Sequence, residues 1–393
     1  MISVDEALAK LLALAAPLGH ESVALRQAAG RVLAEPVAAR LSQPPFAASA
    51  MDGYAITDAD HLPGRRLAVI GEAGAGHGFD GQVTTGHAVR IFTGAPVPGG
   101  ATRVVLQEDC RRDGAHVTLC DRLEVASHIR PLGQDFKLGD VLSAPRRLRP
   151  VDLGLIAAMN HDRLSVARRP LVALMATGDE LVAPGEVPSA DQIIASNGFA
   201  LAALAEAAGA EVRVLPIARD TADSLRFGFS LAEGADVIVT IGGASVGDHD
   251  LVGRVAGDLG LQPAFWKIAM RPGKPLMAGR LGASILLGLP GNPVSAIVCA
   301  QLFLLPLLAH LQGMPGVHDI RKARLTVPLE ANGPRAHYMR ARLVHGSEVL
   351  GIAPMRQQDS ALLSILTEAD ALLIRPLGDG PRQTGDLVDY LPI

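Results

Sequence analysis

Residues 237–250 read Val-Ile-Val-Thr-Ile-Gly-Gly-Ala-Ser-Val-Gly-Asp-His-Asp, five β-branched residues running into a glycine-rich, acidic loop. The run predicts a strand and the loop marks its carboxyl end. Working outward, residues 171–175, 211–216 and 284–287 read as further strands. Residues 200–208 and 222–231 read as helices, and a long helix follows Pro293. Strands alternating with helices imply a parallel, doubly wound sheet with helices on both faces. Ligands of such sheets bind in the loops beyond the carboxyl ends of the strands.

The flanking regions have a different texture. Residues 1–40 read as helical, with apolar positions at Leu8, Leu11 and Leu12 and later at Val23 and Leu25. Residues 41–134 hold short β-branched runs at 67–70, 89–92, 104–106 and 117–119, cut by Gly and Pro, as in a small β domain. A helix is expected at 151–159, and strands of a carboxyl-terminal β domain at 324–328, 339–343 and 371–376.

The 393 residues exceed what one core serves, so two to four domains are expected. A net charge of -4 argues against a surface that attracts nucleic acid or anionic membrane, and 3% aromatic content argues against base-stacking platforms. Three cysteines, Cys110, Cys120 and Cys299, with no CxxC pair, fit a reducing compartment. Ser3-Val4-Asp5-Glu6 reads as a capping box and not as the start of a signal peptide. The apolar run 294–308 carries Gln301 and Pro306 and reads as a buried helix, too short to span a bilayer comfortably.

The strand ends of the α/β region carry most of the polar chemistry. They deliver Thr177-Gly178-Asp179-Glu180, then Arg219-Asp220, then the 242–250 loop, then Leu289-Pro290-Gly291-Asn292-Pro293 at a helix start. Glycines let backbone amides approach a ligand, and a helix start offers N–H groups to an anion. Any one of these loops reads equally well as a tight turn; several on one sheet edge point to a phosphorylated ligand. Lys267, Arg271 and Lys274 form a basic segment held out of helix by Pro272 and Gly273. Alone it reads as a solvated turn. Beside Glu180, Asp220 and Asp250 it suggests carboxylates for a divalent cation and bases for an oxyanion.

Competing motifs fail on context. Gly243-Ala-Ser245-Val-Gly247 satisfies GxSxG, the nucleophile elbow, but Asp258 and His310 sit in helix-like sequence, and Asp248-His249-Asp250 would crowd an acyl pocket with charge. Residues 71–81 hold no GxGxxG, and the twelve histidines show no HExxH, so dinucleotide and zinc sites are not expected. Residues 49–55, 92–98 and 130–135 read, by themselves, as turns.

Taken together these segments carry a resemblance. The chain resembles the molybdopterin molybdenumtransferase family over essentially its full length. It does so through SAMDGYA at 49–55, TGAPVP at 93–98, RPLGQD at 130–135, TGDEL at 177–181, GGASVGDHD at 242–250, RPGKP at 271–275 and LPGNPVSA at 289–296. The central loops alone also fit the related pterin adenylyltransferases; the two amino-terminal blocks point to the insertase. A scaffold or pterin carrier with a degenerate site is the other rival, opposed by the retained acidic and basic residues.

The resemblance implies a multidomain α/β and β architecture. Residues 1–40 and 135–168 would form an elongated helical domain, with a β domain inserted at 41–134. A doubly wound α/β pterin-binding domain at 169–315 and a small carboxyl-terminal β-barrel at 316–393 would follow. It implies a cytoplasmic transferase that inserts molybdate into the dithiolene of adenylylated molybdopterin with magnesium, releasing AMP. It also implies a homodimer with sites between subunits, and transient contact with the adenylyltransferase and with acceptor molybdoenzymes. Neither nucleic acid nor membrane is implied as a partner.

By motif, Asp52, Thr93 and Asp135 would act from the amino-terminal half. Glu180, Asp220, Asp250, Lys267, Arg271 and Lys274 would line the α/β pocket, with Glu180, Asp220 and Asp250 as magnesium ligands. Gly242, Gly243, Ser245, Gly247, Pro290, Gly291, Asn292 and Pro293 would shape its phosphate side, and Arg340 and Ser360 would be the carboxyl-terminal contributions. Arg271 stands where many relatives have Lys, which keeps an anion clamp but not a deprotonable amine.

Overall fold

Val237–Ile241 is buried at all five positions and lies inside a six-stranded sheet. The strands are β1 (Leu171–Ala176), β2 (Glu211–Val214), β3 (Val237–Ile241), β4 (Gln262–Trp266), β5 (Met277–Leu281) and β6 (Ser284–Leu289). Their order is β2-β1-β3-β6-β5-β4. The first four are mutually parallel, while β5 and β4 add an antiparallel edge absent from the sequence expectation. This computed structural model describes residues 1–243, 251–346 and 350–393.

Successive side chains of a strand face opposite sides, and here both sides are covered. Val172, Leu174, Val237, Val239 and Ile241 pack with the helices Asn197–Ala207 and Pro293–Leu311. Ala173, Met175, Ile238 and Leu286 pack with Leu225 and Phe229 of Ala222–Leu231 and with Val252 and Val255 of Leu251–Asp258. Pro293–Leu311 runs 19 residues, longer than expected, and is apolar enough to cross a membrane, yet 72% of its most apolar 18-residue stretch is buried in the fold. It continues past Pro306, and His318 Nε2 lies 2.9 Å from the Leu302 carbonyl that the proline cannot bond. A π-turn at Ala300–Leu304 precedes that point.

The chain divides into two compact units: Met1–Glu21, Gly30–Ala34 and Val166–Ile393 form one, Ser22–Ala29 and Glu35–Ser165 the other. The first also holds the carboxyl-terminal barrel. Ala336–His345 pairs with both Leu350–Pro354 and Ala371–Arg375, and the ring closes through Arg321–Leu325 and Leu387–Pro392 around Leu325, Ile352, Leu373 and Tyr390.

In the second unit a six-stranded sheet is built from Arg103–Leu106, Gly53–Ile56, His87–Ile91, Arg66–Ala73, His116–Leu119 and Cys110–Asp113, in that order. Tyr54 and Ile56 face one core, Ala55, Val89 and Ile91 another.

The expectation of helix through residues 1–40 requires correction. Helix is confined to Val4–Leu12, capped by Ser3 Oγ accepting from Glu6 N–H at 3.1 Å. Val23 lies on the strand His20–Ala24 and Leu25 begins a single 3₁₀ turn. Strands Val32–Leu33 and Val37–Ala38 follow. Their pairing partners lie more than a hundred residues away, with Val166 opposite Leu33 and Val141 opposite Ala38, so local periodicity does not reveal them.

Candidate functional site

Beyond the carboxyl ends of β1, β3 and β6 lies a cavity of about 1460 Å³, within the first unit. The strand ends are laced by the backbone: Thr177 N–H donates to Ile241 O and Gly242 N–H to Leu289 O, both at 3.0 Å. The glycines there answer a steric demand. A Cβ on Gly242 would lie 2.9 Å from Thr177 O and one on Gly243 2.3 Å from Val252 Cγ2. Both residues also hold positive φ, 91° and 64°.

Of the residues expected on the phosphate side, Gly242, Gly243 and Pro290–Gly291–Asn292–Pro293 line this cavity. Asn197 Nδ2 donates to Gly291 O at 2.6 Å and fixes the turn before the helix. Asn292 Nδ2 donates to Ser360 Oγ at 3.1 Å, so Ser360 joins the rim through Asn292 while Ala361 lines the cavity itself.

Glu180 and Asp220 both line the cavity, and among the described residues neither carboxylate has an ion-pair partner. Glu180 folds back over Gly178: a Cβ on Gly178 would sit 2.4 Å from Glu180 Oε2. No group of three or more metal-ligating acids, histidines or cysteines occurs among the described residues. Asp250, the third acid of the expected set, lies outside them, as do Ser245 and Gly247.

The cations are arranged differently from the expectation. Lys267, Arg271 and Lys274 do not line the cavity; among the described residues its basic wall residues are Arg219 and Arg254. The backbone turns through φ +70° at Lys267. Met270–Arg271 then pairs in parallel with Ala336–His337 of the barrel, so the segment follows the barrel edge. Arg271 Nη2 donates to Asn332 Oδ1 at 3.0 Å. Arg254 is not among the cations expected from sequence; its place one turn into the helix Leu251–Asp258, after the acidic loop, is the signal that marks it.

Arg340 is fully buried. Its Nη2 donates to the carbonyls of Gln357 (3.1 Å) and Asp359 (3.0 Å), fastening the segment that ends in Ser360. Its Nε and Nη1 have no partner among the described residues. Neighbouring His337 is driven down to a pKa of about 3 by burial and by Arg271, Arg340, Arg375 and Arg335.

Within the second unit the segments 92–98 and 130–135, which read by themselves as turns, are zipped onto residues 43–52. Ser49 N–H donates to Ala95 O and Gly94 N–H to Ser49 O, both at 2.9 Å, and Ile129–Arg130 pairs with Ala48–Ser49. Asp135 N–H donates to Gln43 O at 2.9 Å, leaving its side chain exposed. Asp52 Oδ1 accepts from Thr93 N–H at 2.8 Å and from Thr93 Oγ1 at 2.7 Å. Those two donors hold the Asp52 carboxyl below its ordinary range, and Arg90 adds a smaller push in the same direction.

Comparison with known proteins identifies the family of the chain. Residues 2–160 match the MoeA N-terminal region (domain I and II), residues 173–310 the probable molybdopterin binding domain, and residues 322–393 the MoeA C-terminal region (domain IV). The molybdopterin molybdenumtransferase of Haemophilus influenzae is 38% identical over 80% of this chain and 78% of its own length. That of Nostoc sp. is 34% identical over 95% and 89%. The crystal structure of the molybdopterin biosynthesis moeA protein from Pyrococcus horikoshii superposes with a TM-score of 0.84 at 26% identity, covering 100% of both chains. With this sequence kinship, the barrel and the α/β domain in place, the chain belongs to the molybdopterin molybdenumtransferase (MoeA) family.

Proposed function

We propose that this chain inserts molybdate into the dithiolene of adenylylated molybdopterin, releasing AMP, as a magnesium-dependent cytoplasmic homodimer. The observation that carries the reading is the cavity at the carboxyl edge of the sheet. It joins a glycine-lined floor and a helix start to two carboxylates without ion-pair partners among the described residues. Its family provides pterin and molybdate as the small molecules to be held. The fourfold division at residues 40, 134, 168 and 315 remains our proposal for the domains.

Each group has a proposed role. Backbone amides at Gly243 and Gly291, beside the helix start, would receive phosphate oxygens, with Arg254 supplying countercharge. Glu180 and Asp220, with Asp250, would hold magnesium; two hard oxygen donors facing one cavity fit that ion. Magnesium, when bound, supplies a Lewis acid for the phosphoanhydride. Arg340, whose Nε and Nη1 have no partner among the described residues, and Ser360 on the segment it fastens are suited to molybdate, and Lys267, Arg271 and Lys274 would raise the local positive potential. Asp52, kept ionised by Thr93, would act with Asp135 from the amino-terminal half. The pterin thiolates are the nucleophiles, so positioning and electrostatics are the protein's contribution.

The test is single-turnover AMP release from protein given adenylylated pterin, magnesium and molybdate, coupled to activation of an apo-molybdoenzyme. Molybdate-dependent release with activation is expected. Pterin binding without release would replace the reading with a carrier.

A further inference from the structure

The two acids facing the cavity stand on loops that are bolted to one another by the residues immediately preceding them. Asp179 precedes Glu180 and Arg219 precedes Asp220. Asp220 N–H donates to Asp179 Oδ1 at 3.1 Å. In return, Arg219 Nη1 points at three carbonyls of the other loop, Gly178 (3.4 Å), Asp179 (3.0 Å) and Leu181 (3.1 Å). Gly178 N–H donates to Ala218 O at 3.1 Å beneath them. Arg219 is itself anchored, its N–H donating to Ser224 Oγ at 2.9 Å at the start of the helix Ala222–Leu231.

We propose that Asp179 and Arg219 are positioning residues that hold the Glu180 and Asp220 carboxylates at a fixed separation across the cavity. The proposal rests on the reading of those two acids given above. The physical need is plain: two like charges on exposed loops lower their energy by moving apart. A hard cation, by contrast, requires oxygen donors at a set distance. One guanidinium shared by three carbonyls resists that splaying, because its fork must lose contacts on the opposite loop before the acids can part. Asp179 contributes only an acceptor to Asp220 N–H, so its shape matters and its charge does not.

The experiment uses the full chain, Mn²⁺ as a paramagnetic probe of cation binding, single-turnover AMP release as a function of Mg²⁺, and amide exchange at Asp220. Arg219→Ala and Asp179→Ala are each expected to raise the Mn²⁺ dissociation constant and the Mg²⁺ concentration for half-maximal rate about tenfold, equivalent to about 1.4 kcal/mol. The fold should survive, with the unfolding midpoint lowered by no more than a few degrees. Asp179→Asn keeps the acceptor and should stay within about twofold of the parent. Asp220 amide exchange should quicken in Asp179→Ala but not in Glu180→Gln. Asp179→Asn failing as badly as Asp179→Ala would overturn the proposal by making the charge essential. Parental cation binding in Arg219→Ala and Asp179→Ala, with binding lost in Glu180→Gln and Asp220→Asn, would overturn the brace alone. Parental behaviour of Glu180→Gln and Asp220→Asn would overturn the underlying reading of the acids, and the brace with it.

Discussion

Thr93 donates twice to a single oxygen of Asp52, through its backbone N–H at 2.8 Å and its hydroxyl at 2.7 Å. The residues are 41 apart in sequence, and both donors prefer the carboxylate form. Because the folded carboxyl titrates below its unfolded value, the interaction is fully present above that unfolded value, about 3.9, and is lost as pH falls through the folded value.

Thr93→Val removes the hydroxyl donor and keeps the amide. The Asp52 carboxyl is expected to titrate at higher pH than in the parent, read by ¹³C NMR of the side chain. The rate of AMP release should fall by roughly tenfold, as for loss of one hydrogen bond to a charged group. An Asp52 titration identical to the parent would contradict the assignment of cause.

Gly53 stands where its strand closely approaches Arg103–Leu106, and a Cβ there would lie 1.9 Å from Val105 O. Gly53→Ala is expected to destabilise the fold by roughly 3 kcal/mol in urea unfolding, since backbone must move. Gly154, inside the helix Pro150–Ala158 with open space around its Cα, offers the contrast. Gly154→Ala should stabilise by about 0.5–1 kcal/mol.

Gly178 holds φ +148°, and its Cβ position is filled by the Glu180 carboxylate. Gly178→Ala should displace that carboxylate as well as strain the backbone. We expect activity to fall by more than tenfold while the fold survives in circular dichroism, because the clash is with a movable side-chain end. Parental activity would show that the position of Glu180 is immaterial.

His337 is buried among four arginines and stays neutral down to about pH 3. In the unfolded chain it protonates near 6.5. Stability contributed by the neutral form is therefore present above 6.5 and declines as pH falls from there toward 3, by at most about 1.4 kcal/mol per pH unit. His337→Gln should flatten that part of the stability–pH curve, measured by urea unfolding at pH 7, 6 and 5. An unchanged slope would count against a neutral buried imidazole.

Much of the fold could be read locally. The β-branched run at 237–241, the Ser3 cap and Pro293 at the first helical position each state their conformation in a few residues, because steric and capping preferences act over one turn. The antiparallel pair Gln262–Trp266 and Met277–Leu281 was not legible. Arg280, a charged residue, and the interruptions at Pro263 and Gly279 mask any alternation, and pairing with β6 decides the matter. The site divides in the same way. Glycine-bearing strand ends, with Glu180 and Asp220, were visible as chemistry in the sequence, since a parallel sheet places all such ends on one edge. Which cations reach the cavity was settled by the tertiary structure. Arg254 enters because its helix packs on β3, whereas Arg271 lies on a two-residue strand that pairs with the barrel, and Lys267 and Lys274 on either side of it do not line the cavity. Sequence determined which residues can bond and bend; long-range strand pairing and burial decided which of them meet.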